Sequence, residues 1–315
     1  ILSRSIYKTI SRYVNGLHDR PSVVAPLPVQ AFAIQRTEKD NQILLSWQPT
    51  TDTYESEAKP SVYVLYTRRN EGGFDNGRWI LTNTYSMEVV PGTLYSSKVT
   101  AVNDGGESLD SEILCAYISP KERKRDNTIM IINGFCRLSG PKPINTETEI
   151  GFDLSTDAGV PYMSFPGYCG AQIGFNKSGL GIETEEGAGF SGKELEGMII
   201  AGNTFDYPSI HGRAIRSSDE YSFVSCSKLA CEIGAVELNE YGMVDLILGL
   251  EKDDGWSLFP YKTFNPKFQK IIKNYMDKSG RILVSGAFIA SDMQSKEEQR
   301  VTSEVLKYAY DAPMD

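Results

Sequence analysis

Histidine is nearly missing from this chain. His18 and His211 are the only two in 315 residues, which excludes most zinc hydrolase sites, since these take two or three His ligands. Cysteine is scarce as well. Cys115, Cys136, Cys169, Cys226 and Cys231 are irregularly spaced and include no Cys-x-x-Cys pair. Neither a disulfide framework nor a zinc or redox motif is expected, and reduced thiols packed as small hydrophobes are. Every apolar run falls well short of the ~20 residues needed to cross a bilayer, so no membrane span is expected. Positive charge is outweighed: 32 Lys and Arg face 41 Asp and Glu, for a net charge of −9. That balance argues against nucleic acid or an anionic membrane surface as a partner. No signal peptide is visible and the first residue is Ile1, so a piece of a longer precursor is expected.

What is present is ordinary for globular protein, with 40% hydrophobic and 23% charged residues. A chain of 315 residues predicts about two domains at roughly 100–200 residues each. The most regular stretch runs from Lys278 to Ala287. Before it, Phe264, Phe268, Ile271, Ile272 and Tyr275 recur at helical spacing, with Pro266 suited to a first turn and Asn265 to an N-cap. The helix stops at Gly280. Ile282–Val284 then reads as a strand buried on both faces, as a parallel sheet covered by helices requires. Ile129–Ile132, Met198–Ala201, Ser222–Ser225 and Val244–Leu248 have the same character. Strands alternating with helices predict an open, doubly wound parallel sheet.

Residues 1–17 read as an amphipathic helix, with Leu2, Ile6, Ile10, Tyr13, Val14 and Leu17 on one face and Arg4, Lys8 and Arg12 on the other. The apolar face is expected to pack on an upstream domain or on the next one. Pro21, Pro26 and Pro28 mark a stiff linker over residues 19–27. Short alternating strands follow, around Ile43, Leu45 and Trp47 and around Val62, Val64 and Tyr66. With turn residues between them, they predict a β-sandwich of about 90 residues.

Trp47 at the core position of the second strand, Tyr95 at the tyrosine corner and Ala101-Val102-Asn103-Asp104-Gly105-Gly106-Glu107-Ser108 resemble a fibronectin type III domain over residues 28–118. Such modules act as spacers or binding surfaces. The phrase Ser5–Tyr13 resembles the last helix of bacterial zinc-dependent N-acetylmuramoyl-alanine amidases, whose metal ligands would lie before Ile1. Residues 1–18 are thus expected to be the remnant of an amidase-like domain.

The basic run Lys121–Arg125 reads as a second linker over residues 119–127. An α/β domain is expected over residues 128–315, with a long Gly-rich insertion at 134–197 that forms an ordered excursion from the sheet. Within it, Gly187 to Lys193 fits G-x-x-x-x-G-K. Glu194 stands where a Ser or Thr would hold magnesium, and the loop precedes a strand, so no nucleotide and no other cofactor is expected.

Candidate site residues cluster where strands run into polar turns, because open α/β sheets bind ligands at the carboxyl ends of their strands. Asn133 ends the first strand. Asn203, Thr204, Asp206, Tyr207 and His211 follow the Met198–Ala201 run. Asp206 can fix the tautomer of His211 as an acid/base pair. The competing reading has Asp206 capping a helix while His211 packs against a neighbour. Ser285 is the hydroxyl nearest the last strand's turn. Trp79, Trp256 and Tyr207 are candidates for stacking on sugars.

The order Val244–Gly249, helix 265–278, Ser279–Gly286 is similar to the flavodoxin-like, class I glutamine amidotransferase-like superfamily, which implies a three-layer α/β domain. Ala287 stands at the nucleophile turn of that superfamily, so the amidotransferase activity is not implied. With the fibronectin-like module and Asn203–Pro208, the chain resembles bacterial multidomain envelope proteins labelled xanthan lyase. The resemblance implies an exported protein, periplasmic, cell-surface or secreted, directed at polysaccharide or peptidoglycan. This region is expected to be its non-catalytic spacer and binding part, working beside flanking domains. The alternative is a hydrolase or lyase acting on a glycan or ester through Asp206 and His211.

Overall fold

The computed structural model describes residues 2–121, 127–136, 142–153, 172–176, 188–192, 207–249, 251–253 and 260–308. They fall in two compact units: Ile1–Asn133, Phe205–Ile247 and Lys267–Val284 in the first, Gly134–Thr204, Leu248–Pro266 and Ser285–Asp315 in the second.

The first unit opens with helix α1 (Leu2–Leu17), followed by an antiparallel sandwich. One sheet holds β1 (Gln30–Arg36), β2 (Gln42–Gln48) and β5 (Thr84–Glu88). The other runs β4 (Arg78–Ile80), β3 (Val62–Arg69), β6 (Leu94–Asn103) and β8 (Leu114–Tyr117), with the short β7 (Gly106–Glu107) folded back on β6. β2 alternates between buried and half-buried residues, as a strand with one face on a core does. Its Ile43, Leu45 and Trp47 are at most 1% exposed. Trp47 meets Phe32 and Tyr63 edge-on, with ring centroids 6.3 and 5.4 Å apart. At the turn into β6 the backbone N–H of Val90 donates to Tyr95 Oη at 3.0 Å, which is the tyrosine-corner bond. The two-sheet strand order and this corner make the sandwich fibronectin type III-like.

The same unit carries parallel strands. β9 (Ile129–Asn133) pairs in parallel with β14 (Phe223–Ser227) on one side and with β15 (Met243–Gly249) on the other. All five residues of β9 and of β14 are buried. β14 has two further partners. It pairs antiparallel with β8 through Phe223 and Tyr117, and with β1 through Cys226 and Ala33. One outer strand of each sandwich sheet, β1 and β8, therefore meets β14, while β5 and β4 remain the far edges. Side chains reinforce the seam. Ser225 Oγ accepts from Cys115 N at 2.7 Å and donates to Cys115 O at 2.8 Å, and Tyr117 stacks on Phe223 at 5.9 Å.

β16 (Ile282–Gly286) follows β15 at the end of the strand order. Expected to be buried on both faces, it is only half-covered, and Leu283 is 51% exposed. An outermost strand has a neighbour on one side only, and three apolar residues in a row do not reveal that position. α4 (Pro266–Asp277) matches its expected range and buries Phe268, Ile272 and Tyr275. Gly280 lets the chain turn tightly, since a Cβ there would lie 2.5 Å from the Tyr275 ring.

α1 docks on the sandwich by its basic face, not by the apolar one. Arg4 and Lys8 reach Asp52 at 3.0 and 3.1 Å, and Arg12 reaches Glu55 at 2.7 Å. Ile6, Ile10, Tyr13, Val14 and Leu17 stay exposed. Ionic partners in a distant loop decided the docking, and periodicity carries no information about them.

In the second unit, residues expected to form the Gly-rich excursion include an antiparallel meander of β10 (Lys142–Asn145), β11 (Glu149–Asp153), β12 (Gln172–Asn176) and β13 (Ala188–Gly192). The Ala188–Gly192 part of the phosphate-loop look-alike forms β13, which pairs with β12. Asp292 organises the remainder, accepting from Thr263 N at 2.8 Å and Thr263 Oγ1 at 2.9 Å, with Lys262 Nζ at 3.5 Å. The final helix, expected over 294–310, is α5 (Lys296–Glu304), started by a Ser295–Glu298 capping box.

Candidate functional site

Helix α2 (Tyr207–Arg216) carries Pro208 in its first turn and Arg213 and Arg216 in its last. Proline loses nothing in a first turn, and cations suit the C-terminal end of the helix dipole. The helix buries Pro208, Ser209 and Gly212. Gly212 is the contact that sets its height above the sheet. A Cβ there would lie 2.5 Å from Phe223 Cζ and 3.3 Å from Cys115 Sγ, so only glycine allows this approach.

The next residue back is His211. Its Nδ1 lies 2.8 Å from Asp245 Oδ2 on β15. The imidazole is 27% exposed and the carboxylate 5%. An ionised carboxylate can only accept, so this bond places the ring proton on Nδ1 and leaves a lone pair on Nε2. A base oriented by a buried carboxylate is the arrangement used in general acid–base catalysis. Asp245 Oδ1 is also enclosed and has no hydrogen-bond partner among the described residues.

Asp245 pairs in register with Ile131 of β9, two residues before Asn133. Side chains two apart on a strand share a face, so buried Asn133 stands on the same face as Asp245. Of the other expected site residues, Tyr207 begins α2 and is half-buried, and burial raises its phenol above the ordinary range. Ser285 is half-buried on β16 in the second unit. Asn203, Thr204, Asp206 and Trp256 lie outside the described residues, as does the expected strand Met198–Ala201. Asp245 was not singled out from sequence. A lone acid inside Val244–Leu248 was the available signal, because a buried charge needs a partner.

Cys226, at the end of β14, is fully buried. Burial, then the neighbouring Cys231 thiol, push its own thiol well above the usual range, which argues against it as the first nucleophile toward an outside substrate. Among the described residues no group of three or more His, Cys, Asp or Glu could hold a metal ion. No described helix is long and apolar enough to cross a membrane.

No family model matches the chain, and no curated protein does. Among solved structures it is similar to the twitchin kinase region of C. elegans, at 21% identity over 30% of this chain and 17% of that one, with a TM-score of 0.27. It is also similar to an FN3tt mutant, at 19% identity over 30% of this chain and 97% of that one, TM-score 0.25. The FN5 domain of Drosophila Lar is 17% identical over 30% of this chain and 97% of its own, TM-score 0.24.

Proposed function

We propose that this region is a non-catalytic accessory part of an exported, polysaccharide- or peptidoglycan-directed protein. In this reading the fibronectin-like sandwich is a brace and a binding surface, and residues 128–315 form a flavodoxin-like α/β partner domain. The supporting observation is Trp79. It lies on the short outer strand β4 and is 70% exposed, whereas tryptophan is highly buried on average. A flat exposed indole suits the apolar face of a pyranose ring. Affinity electrophoresis through gels containing xanthan or solubilised peptidoglycan tests the reading. The protein should be retarded, Trp79→Ala should migrate freely, and the glycan should keep its chain length. Equal migration of both proteins in every gel would overturn it.

A second reading is favoured by His211 and Asp245: a hydrolase or lyase that uses the imidazole as general base. Turnover of a glycan or ester that disappears in both His211→Ala and Asp245→Ala would support it and displace the first. Turnover that persists in both would remove it.

A further inference from the structure

The Sγ atoms of Cys226 and Cys231 are 3.5 Å apart. Cys226 closes β14, Ser227 caps the following helix α3 (Lys228–Glu232) by accepting from Ala230 N, and Cys231 stands one turn in. This strand-to-helix junction aims the two side chains at each other. A disulfide needs an S–S distance of about 2.05 Å, so closure takes an approach of roughly 1.5 Å. That approach falls to the helix side of the junction. α3 is only five residues long. It runs out through Ile233, which is 48% exposed, to Gly234 at φ 77°.

The two thiols differ in access. Cys226 is 0% exposed and Cys231 is 4% exposed. Cys231 lines a cavity of about 390 Å³ whose other walls include Gly234, Val236, Leu238, Ile271 and Tyr275. Cys231, and not Cys226, borders that cavity.

We propose that Cys226 and Cys231 are a dithiol site that takes a low-molecular-weight disulfide through this cavity and closes to an intramolecular disulfide. The Cys231 thiol loses its proton and attacks one sulfur of the reagent, breaking its S–S bond and releasing one thiolate, which takes up that proton. Cys226 then attacks the Cys231 sulfur of the mixed disulfide and displaces the second reagent thiol, which takes up the Cys226 proton. Two protein thiols are oxidised by two electrons, and one reagent disulfide is reduced to two thiols.

The test treats the folded chain with oxidised glutathione, quenches it in acid, alkylates the remaining thiols after unfolding and maps the peptides. Lys228 lies between the two cysteines, so after trypsin the closed bond holds two peptides together. The expected result is that linked pair, with the protein lighter by two hydrogens at this site. In a Cys136→Ala, Cys169→Ala background, adding Cys226→Ser should halt the reaction at a lasting glutathione adduct on Cys231. Recovery of both thiols fully alkylated, under conditions that modify exposed Cys136, would overturn the proposal. So would a Cys231 adduct that persists while Cys226 is present. Mapping of the unaltered protein decides the matter even if the variants fold poorly.

Discussion

Asp245 grips His211 with one oxygen only: Oδ2 is 2.8 Å from Nδ1, while Oδ1 is enclosed without a partner among the described residues. The bond fixes the imidazole at the cost of leaving half of a buried carboxylate unsatisfied. A charge-assisted hydrogen bond of this kind contributes about 1.5–3 kcal/mol.

Asp245→Ala should therefore lower stability by about 1–3 kcal/mol in urea unfolding. The sharper readout is the ring. Above the titration of the imidazole, ¹⁵N shifts should report a single Nδ1–H tautomer in the parent protein and a mixture in the variant. An unprotonated Nδ1 in the parent would refute the geometry.

Gly212→Ala should cost about 1–3 kcal/mol, the usual range for overpacking. The added Cβ meets Phe223 Cζ at 2.5 Å, and an aromatic ring in a packed core has little room to retreat. Lifting α2 should also loosen the neighbouring His211, so the tautomer signature should broaden with the loss of stability. A change within about 0.5 kcal/mol, the level of an ordinary surface substitution, would contradict the packing account.

Glu112 sets a pH dependence. Burial, only partly offset by its own backbone N–H, raises its carboxyl from 4.5 to about 7, and Oε1 is enclosed without a hydrogen-bond partner among the described residues. Below the ordinary value both folded and unfolded chains hold the proton and nothing changes. Between the ordinary value and about 7 only the folded chain holds it, so stability falls as pH rises through that window and stays reduced above it. Glu112→Gln should remove this slope and raise stability by about 1–3 kcal/mol at pH 8. Parallel stability–pH curves for the two proteins would disprove the assignment.

Asp52 has the opposite sign. Burial pushes its carboxyl up, but hydrogen bonds from Lys8, Tyr54 N–H and Arg4 outweigh this and hold it below 3.8. Its contribution is present above the ordinary value and is lost as pH falls through the folded value. Amide exchange should therefore find α1 opening in acid before the sandwich strands do. If α1 and β2 lose protection at the same pH, the ion pairs are not what holds the helix.

Tyr95→Phe should cost about 1 kcal/mol through loss of the bond to Val90 N. Heat or urea unfolding measures it directly.

Several elements were legible in the sequence because they rest on local rules. α4 follows from 3.6-residue spacing ended by a glycine, and the sandwich from alternation around Trp47 and the position of Tyr95. What stayed hidden depends on long-range pairing. His211 and Asp245 are 34 residues apart, and neither neighbourhood announces the other. The acid in Val244–Leu248 was absorbed into an apolar run, although it was the one residue there that required a partner. α1 was recognised as amphipathic, yet its docking depends on Asp52 and Glu55 in a loop without periodicity. The half-covered state of β16 is a property of strand order, which no single strand encodes.

β14 has a practical consequence for anyone dissecting this protein. A gene fragment stopped at Ile118 would contain every strand of the sandwich and still lack the one that seals it. The edges of β1 and β8 that β14 meets would then be open to water and to one another's copies. Such a fragment should self-associate or precipitate, and a soluble excised sandwich would need the stretch through Ser227 supplied in cis or added as a peptide.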